Sequence, residues 1–65
     1  MEVLARYNDG QRHEIVRANN GKIFLDLNIE EGANGSRHAC TAGEYASIEE
    51  ARAYMRKFRP QAKEE

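Results

Sequence analysis

The chain has a single cysteine, Cys40, among 65 residues. No intramolecular disulfide is possible, so a fold this small must rest on its core, on a metal or on association. A lone thiol also fits a reducing compartment. An excess of charge of one sign is missing as well. Ten Lys and Arg stand against eleven Asp and Glu, for a net charge of −1. That balance withholds the global argument for nucleic acid that a strongly basic domain supplies, although a local basic face remains open. No apolar run is long enough to span a bilayer. Met1–Arg6 lacks the basic start and long apolar stretch of a signal peptide, so a cytoplasmic location is expected. Gly32 and Gly35 fit neither a Walker nor a dinucleotide-binding pattern, and there is no internal repeat. With 40% hydrophobic and 32% charged residues, the composition is not that of a disordered chain.

What is present divides into strands and one helix. Residues 2–8 alternate, with Val3, Ala5 and Tyr7 on one face and Glu2, Leu4 and Arg6 on the other. Asn8-Asp9-Gly10 is a tight-turn signal, because Asp-Gly tolerates positive φ. Residues 12–18 form a second strand around Ile15 and Val16. Asn19-Asn20-Gly21 is a second hairpin signal. Residues 22–29 form the clearest strand. Ile23, Leu25, Leu27 and Ile29 alternate there with Phe24, Asp26 and Asn28, the pattern expected of the sheet's central strand. Residues 30–36 read as a mobile loop by composition. Residues 37–41 offer a fourth strand with little to pack.

Ser47 to Pro60 is the helix. Ser47 is an N-cap, and Glu50 can reach back to the Ser47 N–H as a capping box. Glu49 and Glu50 suit the positive end of the helix dipole; Arg56, Lys57 and Arg59 suit the negative end. Pro60 ends the helix. Ile48, Ala51, Met55 and Phe58, at i, i+3, i+7 and i+10, make an apolar seam with Tyr54 on its edge. A helix this short needs packing, and the Ile23–Leu25–Leu27–Ile29 face is its expected receiver. A buried Phe58 would make Phe58→Ala cost about 3–5 kcal/mol.

The predicted fold is therefore α+β. A three- to four-stranded antiparallel meander carries one C-terminal helix packed on one face, with residues 1–60 as one domain and 61–65 as a frayed polar tail. One helix covers one face only. The other face would carry Leu4, Val16 or Ile15, and Phe24 among charges, which marks a protein contact or self-association. Sheet edges could also pair across a dimer axis. The expected function is accordingly a non-enzymatic protein-interaction or homodimerising module, with Phe24, Val16, Arg52, Arg56 and Arg59 as contact residues. Arg52, Arg56 and Arg59 line one side of the seam. They could meet an acidic surface or phosphates, or form a solvated flank whose stems shield the seam, with Glu49 pairing Arg52.

The alternative is a small nucleic-acid binder using Arg6, Arg12, Arg17, Lys22, Arg37 and Arg56. The architecture resembles DNA-binding domains that lay a sheet in the major groove, in layout only and without a matching motif. Acidic Glu2, Glu14 and Asp26 are interleaved with these bases. His13, His38 and Cys40 are the strong soft-metal ligands, yet they show no recognised zinc spacing. Two surface histidines and a small buried cysteine is the plainer reading, and no metal or other cofactor is expected. A Cys40–His pair could in principle supply a nucleophile, but so small a domain offers little enclosed pocket, so no enzyme activity is expected.

Overall fold

A computed structural model describes all 65 residues. The chain runs β1 (Glu2–Asn8), β2 (Arg12–Arg17), β3 (Ile23–Glu31), β4 (Arg37–Tyr45), α1 (Ile48–Phe58) and β5 (Lys63–Glu64). The strands form one antiparallel sheet in the order β4-β3-β2-β1-β5, so the fold is α+β with a meander and one C-terminal helix. No helix is long and apolar enough to cross a membrane.

Local chemistry sets the turns. Gly10, at φ +103°, closes the β1–β2 hairpin. Asn8 Oδ1 accepts from its N–H at 2.9 Å, and Asp9 Oδ1 accepts from the Gln11 N–H. Gly21, at φ +87°, closes β2–β3, where its N–H donates to the Ala18 carbonyl. Both conformations lie where glycine carries no Cβ penalty. Gly32–Ser36 was expected to be part of a longer, mobile loop. It is instead a tied hairpin, with the Gly32 N–H bonded to the Ser36 carbonyl at 2.7 Å. The pairs Glu30↔His38 and Glu31↔Arg37 extend the ladder up to it.

Three cross-strand rows organise the sheet. Ala5, Ile15, Leu25 and Ala42 lie opposite one another and face α1, with Ile23, Leu27 and Tyr7 packed beside them. Ala51 and Met55 of α1 close this core. The next two rows, Val3–Val16–Phe24–Gly43 and Arg6–Glu14–Asp26–Thr41, alternate with it and lie on the opposite face, where no element covers the sheet.

Several expectations need correction. A register shift between Val3 and Ala5 makes Leu4 a bulge residue. One extra residue reverses the alternation, so Leu4 packs toward the core and Val3, not Leu4, joins the open face. The middle strand is β2, with β3 inside it and β4 at the edge. That follows because residues 37–45 pair along their whole length and the tail adds β5. The tail does not fray: Lys63 and Glu64 pair with Asn8 and Tyr7, and the Glu65 N–H reaches the Arg6 carbonyl at 2.8 Å.

The helix begins as expected, with Ser47 Oγ accepting from the Glu50 N–H. Glu50 reaches back one residue further than expected, to the Ala46 N–H at 2.9 Å. Phe58 departs most from expectation. It is 57% exposed, because at the last turn its ring lies on Tyr54, 4.7 Å between centroids, instead of under the helix. Met55, 1% exposed, takes the buried position.

Candidate interaction surface

The open face has an apolar half and an ionic half. In the apolar half, Phe24 stands between Val16 and Gly43. A Cβ placed on Gly43 would lie 3.0 Å from Phe24 Cδ1, so the ring occupies space that only glycine leaves free. Met1 reaches over the same region, its amino group donating to Asn19 Oδ1 at 2.8 Å. Met1, Val16, Phe24, Asp26 and Thr41 border a shallow depression of about 380 Å³. Val16 is buried and Phe24 half-buried, while Met1 is exposed.

The ionic half is built on two carboxylates that sit directly opposite each other, Glu14 and Asp26, 6% and 8% exposed. Like charges so placed repel. Arg37 resolves this by reaching across from β4 to both: its Nη2 lies 2.7 Å from Glu14 Oε1 and 3.0 Å from Asp26 Oδ2. The hydrogen bond to Glu14, joined by the one to Asp26, raises the Arg37 pKa against the opposing pull of burial. Thr41 donates to the other Asp26 oxygen at 2.9 Å, and Arg6 lies 3.4 Å from Glu14. Two acids and two arginines thus cancel in one patch, and no buried side-chain polar atom lacks a partner.

The same cancellation runs through every basic residue named for the sheet. Arg12 pairs with Glu31, Arg17 with Glu2 at 2.9 Å, and Lys22 with Glu44 at 2.9 Å. The helix flank divides. Arg52 pairs with Glu49 at 2.8 Å, as the spacing predicted, and with Glu64 at 3.1 Å. Those two carboxylates, Glu64 first, push its pKa up. In turn Arg52, then Tyr7, holds the Glu64 carboxyl below its ordinary range. Arg56 and Arg59 take part in none of the ion pairs.

The histidines and the cysteine do not converge. His13, expected at the surface, is fully buried beside Tyr7. Its Nε2 meets Asp9 Oδ1 at 2.9 Å, while Nδ1 accepts from the Asn28 N–H at 3.0 Å. These contacts fix the bulge at Asn28, a non-glycine residue at φ +55°. The bond from His13, ahead of the one from the Gln11 N–H, draws the Asp9 pKa down. Cys40, expected to be buried, is exposed on the edge strand, as is His38. No three His, Cys, Asp or Glu residues gather in a metal-holding group.

Sequence reasoning named Phe24, Val16, Arg6 and Arg37, and the open face brings all four together. It missed Val3, hidden by the bulge, and the Glu14–Asp26 pair as the base of the patch. The available signal was Asp26, an acid in the middle of the most apolar strand. Comparison with protein-family models, curated proteins and solved structures found no match.

Proposed function

We propose that the protein is a non-enzymatic interaction module that docks a protein partner on the open face of its sheet. One observation carries this reading: the Val3–Val16–Phe24 row, with Met1 above it, lies on a sheet face that no other element covers. Half-buried Val3 and Phe24 beside buried Val16, with exposed Met1 above them and satisfied charges around, have the make-up of an interface centre and its rim. The face is also large enough. The molecule measures 33 × 30 × 18 Å, so its broad side offers roughly 800 Å², the share each partner gives in a standard interface. Of the groups that could do acid–base chemistry, His13 has both ring nitrogens bonded, and Glu14 and Asp26 are held by Arg37. A reducing compartment such as the cytoplasm suits its exposed thiol.

Nucleic-acid binding through the sheet is the weaker reading. Arg6, Arg12, Arg17, Lys22 and Arg37 each already face a carboxylate. A phosphate approaching them meets paired charge and must displace an acid to gain a contact. Arg56, Lys57, Arg59 and Lys63 are left outside the ion pairs, at the end of α1 and in β5, and of these only Arg56 belongs to the basic set this reading names.

The two readings respond oppositely to salt. Proteins retained by the immobilised module should stay bound after nuclease treatment and at 0.5 M salt, where the Debye length is about 4 Å and exposed charge contacts are screened. They should be lost from Phe24→Glu and kept by Arg56→Ala. Retention that vanishes with salt or nuclease, or with Arg56→Ala alone, contradicts the reading.

A further inference from the structure

His13 is 0% exposed, and docking on the open face makes no use of it. Its two ring nitrogens differ in role. Nδ1 accepts from the Asn28 N–H at 3.0 Å, so it carries no proton. Nε2 then carries the one ring proton and donates it to Asp9 Oδ1 at 2.9 Å. The Asn28 N–H meets the ring because of a bulge. Arg12 pairs with Ile29 and Glu14 with Asp26, so Leu27 and Asn28 together stand against His13 alone. Asn28 sits there at φ +55°, and a buried N–H left without an acceptor would be costly.

Beyond the bulge, β3 runs into the Gly32–Ser36 hairpin and returns as β4, through the pairs Glu30↔His38 and Glu31↔Arg37. Arg37, the cation that holds Glu14 and Asp26, therefore stands on the segment that the bulge aims.

The geometry points to His13 as a proton-operated lock on this segment. Neutral, the ring holds the Asn28 bulge; doubly protonated, it releases the bulge, and the hairpin end of β3 and β4 loosens with Arg37 on it. An imidazolium has two N–H donors and no acceptor. A solvent proton placed on Nδ1 would face the Asn28 N–H, and no covalent bond other than that new N–H is made or broken.

The surroundings set the balance. Asp9 touches the ring and favours a second proton, while burial and the Asn28 N–H oppose it. Asp9 is drawn below its ordinary value, first by the bond from His13, then by the Gln11 N–H and least by Arg59 at the end of α1. It therefore stays charged throughout the range in which imidazoles titrate. From β1, Tyr7 stands opposite His13 and turns its hydroxyl to Glu64 of β5, which Arg52 of α1 pairs. Arg12 and Glu14, the neighbours on β2, are engaged with Glu31 and Arg37. From β3 the ring meets the uncharged Asn28. Acid favours the open form, because only the closed form needs a bare Nδ1. One linked proton shifts such an equilibrium by up to about tenfold per pH unit. The lock stands on His13 and the bulge, independently of what the open face binds.

The test is amide hydrogen exchange by NMR between about pH 7.5 and about pH 5, the span over which an imidazole changes charge, with each rate divided by its free-chain rate at that pH. At the upper end the His13 ring should show a proton on Nε2 and none on Nδ1. On acidification, protection of the Asn28 and Gly32 amides should fall about tenfold or more while Leu25, at the sheet centre, stays protected. His13→Asn supplies a side-chain oxygen that can take the Asn28 N–H, so its Asn28 protection should not change with pH. His38→Asn, at an exposed position, should behave as the parent does. A doubly protonated His13 at the upper end overturns the proposal, as does Asn28 protection that ignores pH in the parent. A fall that persists in His13→Asn, or vanishes in His38→Asn, also overturns it. So does loss of Leu25 protection together with Asn28, since the whole sheet then unfolds. If His13→Asn does not fold, the ring spectrum and His38→Asn still decide.

Discussion

Replacing Arg37 by Met removes the single cation that holds Glu14 and Asp26 together while keeping most of the side chain's bulk. Both carboxylates are nearly buried and face each other, and one guanidinium nitrogen bonds both. Breaking a fully buried charge pair costs about 3–5 kcal/mol. The Arg37 side chain is 31% exposed, so water recovers part of the loss. A hydrogen bond to a charged group is worth about 1.5–3 kcal/mol, and the expected cost is therefore about 2–3 kcal/mol. A chain of this size has about 3–10 kcal/mol in total, so the variant should fold only marginally. In urea, with a slope near 1 kcal/mol per molar for so small a fold, the midpoint should drop by about 2 M, read by circular dichroism. The triple variant Arg37→Met, Glu14→Gln, Asp26→Asn should recover to within about 1 kcal/mol, since the repulsion and desolvation go with the charges. A single variant as stable as the parent, or a triple variant no better than the single one, refutes the idea that Arg37 neutralises a cross-strand acid pair.

Other substitutions probe the core and its edges. Phe58→Ala should cost about 1 kcal/mol or less, because the ring is largely in water, whereas Met55→Ala should cost about 2–5 kcal/mol in the same melt; equal effects would contradict the observed packing. Gly43→Ala should destabilise by about 1–3 kcal/mol, since the new Cβ meets Phe24 and φ is +145°, and a neutral result in denaturant would mean the ring can move aside. Burial, then the bond to Glu64, pushes the Tyr7 phenol up to about 12. The folded state favours its neutral form, so this stabilisation is whole below the ordinary value of about 10 and is lost as pH rises from there through 12. Tyrosinate absorbance followed with circular dichroism should show Glu64→Ala ionising Tyr7 and unfolding at lower pH than the parent; identical curves would contradict the Tyr7–Glu64 bond.

How much of this was legible in the sequence depends on whether a signal was local. Asp9-Gly10 and Asn19-Asn20-Gly21 carry their turn chemistry within three residues, and both hairpins form where expected. The alternation from Ile23 to Leu27 and the Ser47 cap are equally local. Long-range events were not legible. The bulge at Leu4 depends on how β1 registers against β2, which no run of five residues encodes. Strand β4 gains its order from pairing with β3, despite its small side chains, and the tail becomes β5 only because β1 presents a free edge. Phe58 fits a helical seam by spacing, but spacing does not say how far along α1 the sheet extends beneath it. For the site, Phe24 and Val16 stood out because their face had no second helix to cover it. The pairing of every sheet arginine with a carboxylate was hidden, because the partners are far apart in sequence: Arg37 and Glu14 are 23 positions apart.

The most direct test of the open face as the working surface is covalent footprinting of Met1 and Phe24 with photochemically generated hydroxyl radicals, on the purified protein and in a native lysate. The expected result is that both are labelled in the purified protein and protected in the lysate, at low and high salt alike, while Arg56 and Arg59 keep their accessibility to an arginine-selective reagent. Unchanged labelling of Met1 and Phe24 in the lysate, with protection confined to Arg56 and Arg59 and lost at high salt, would contradict it.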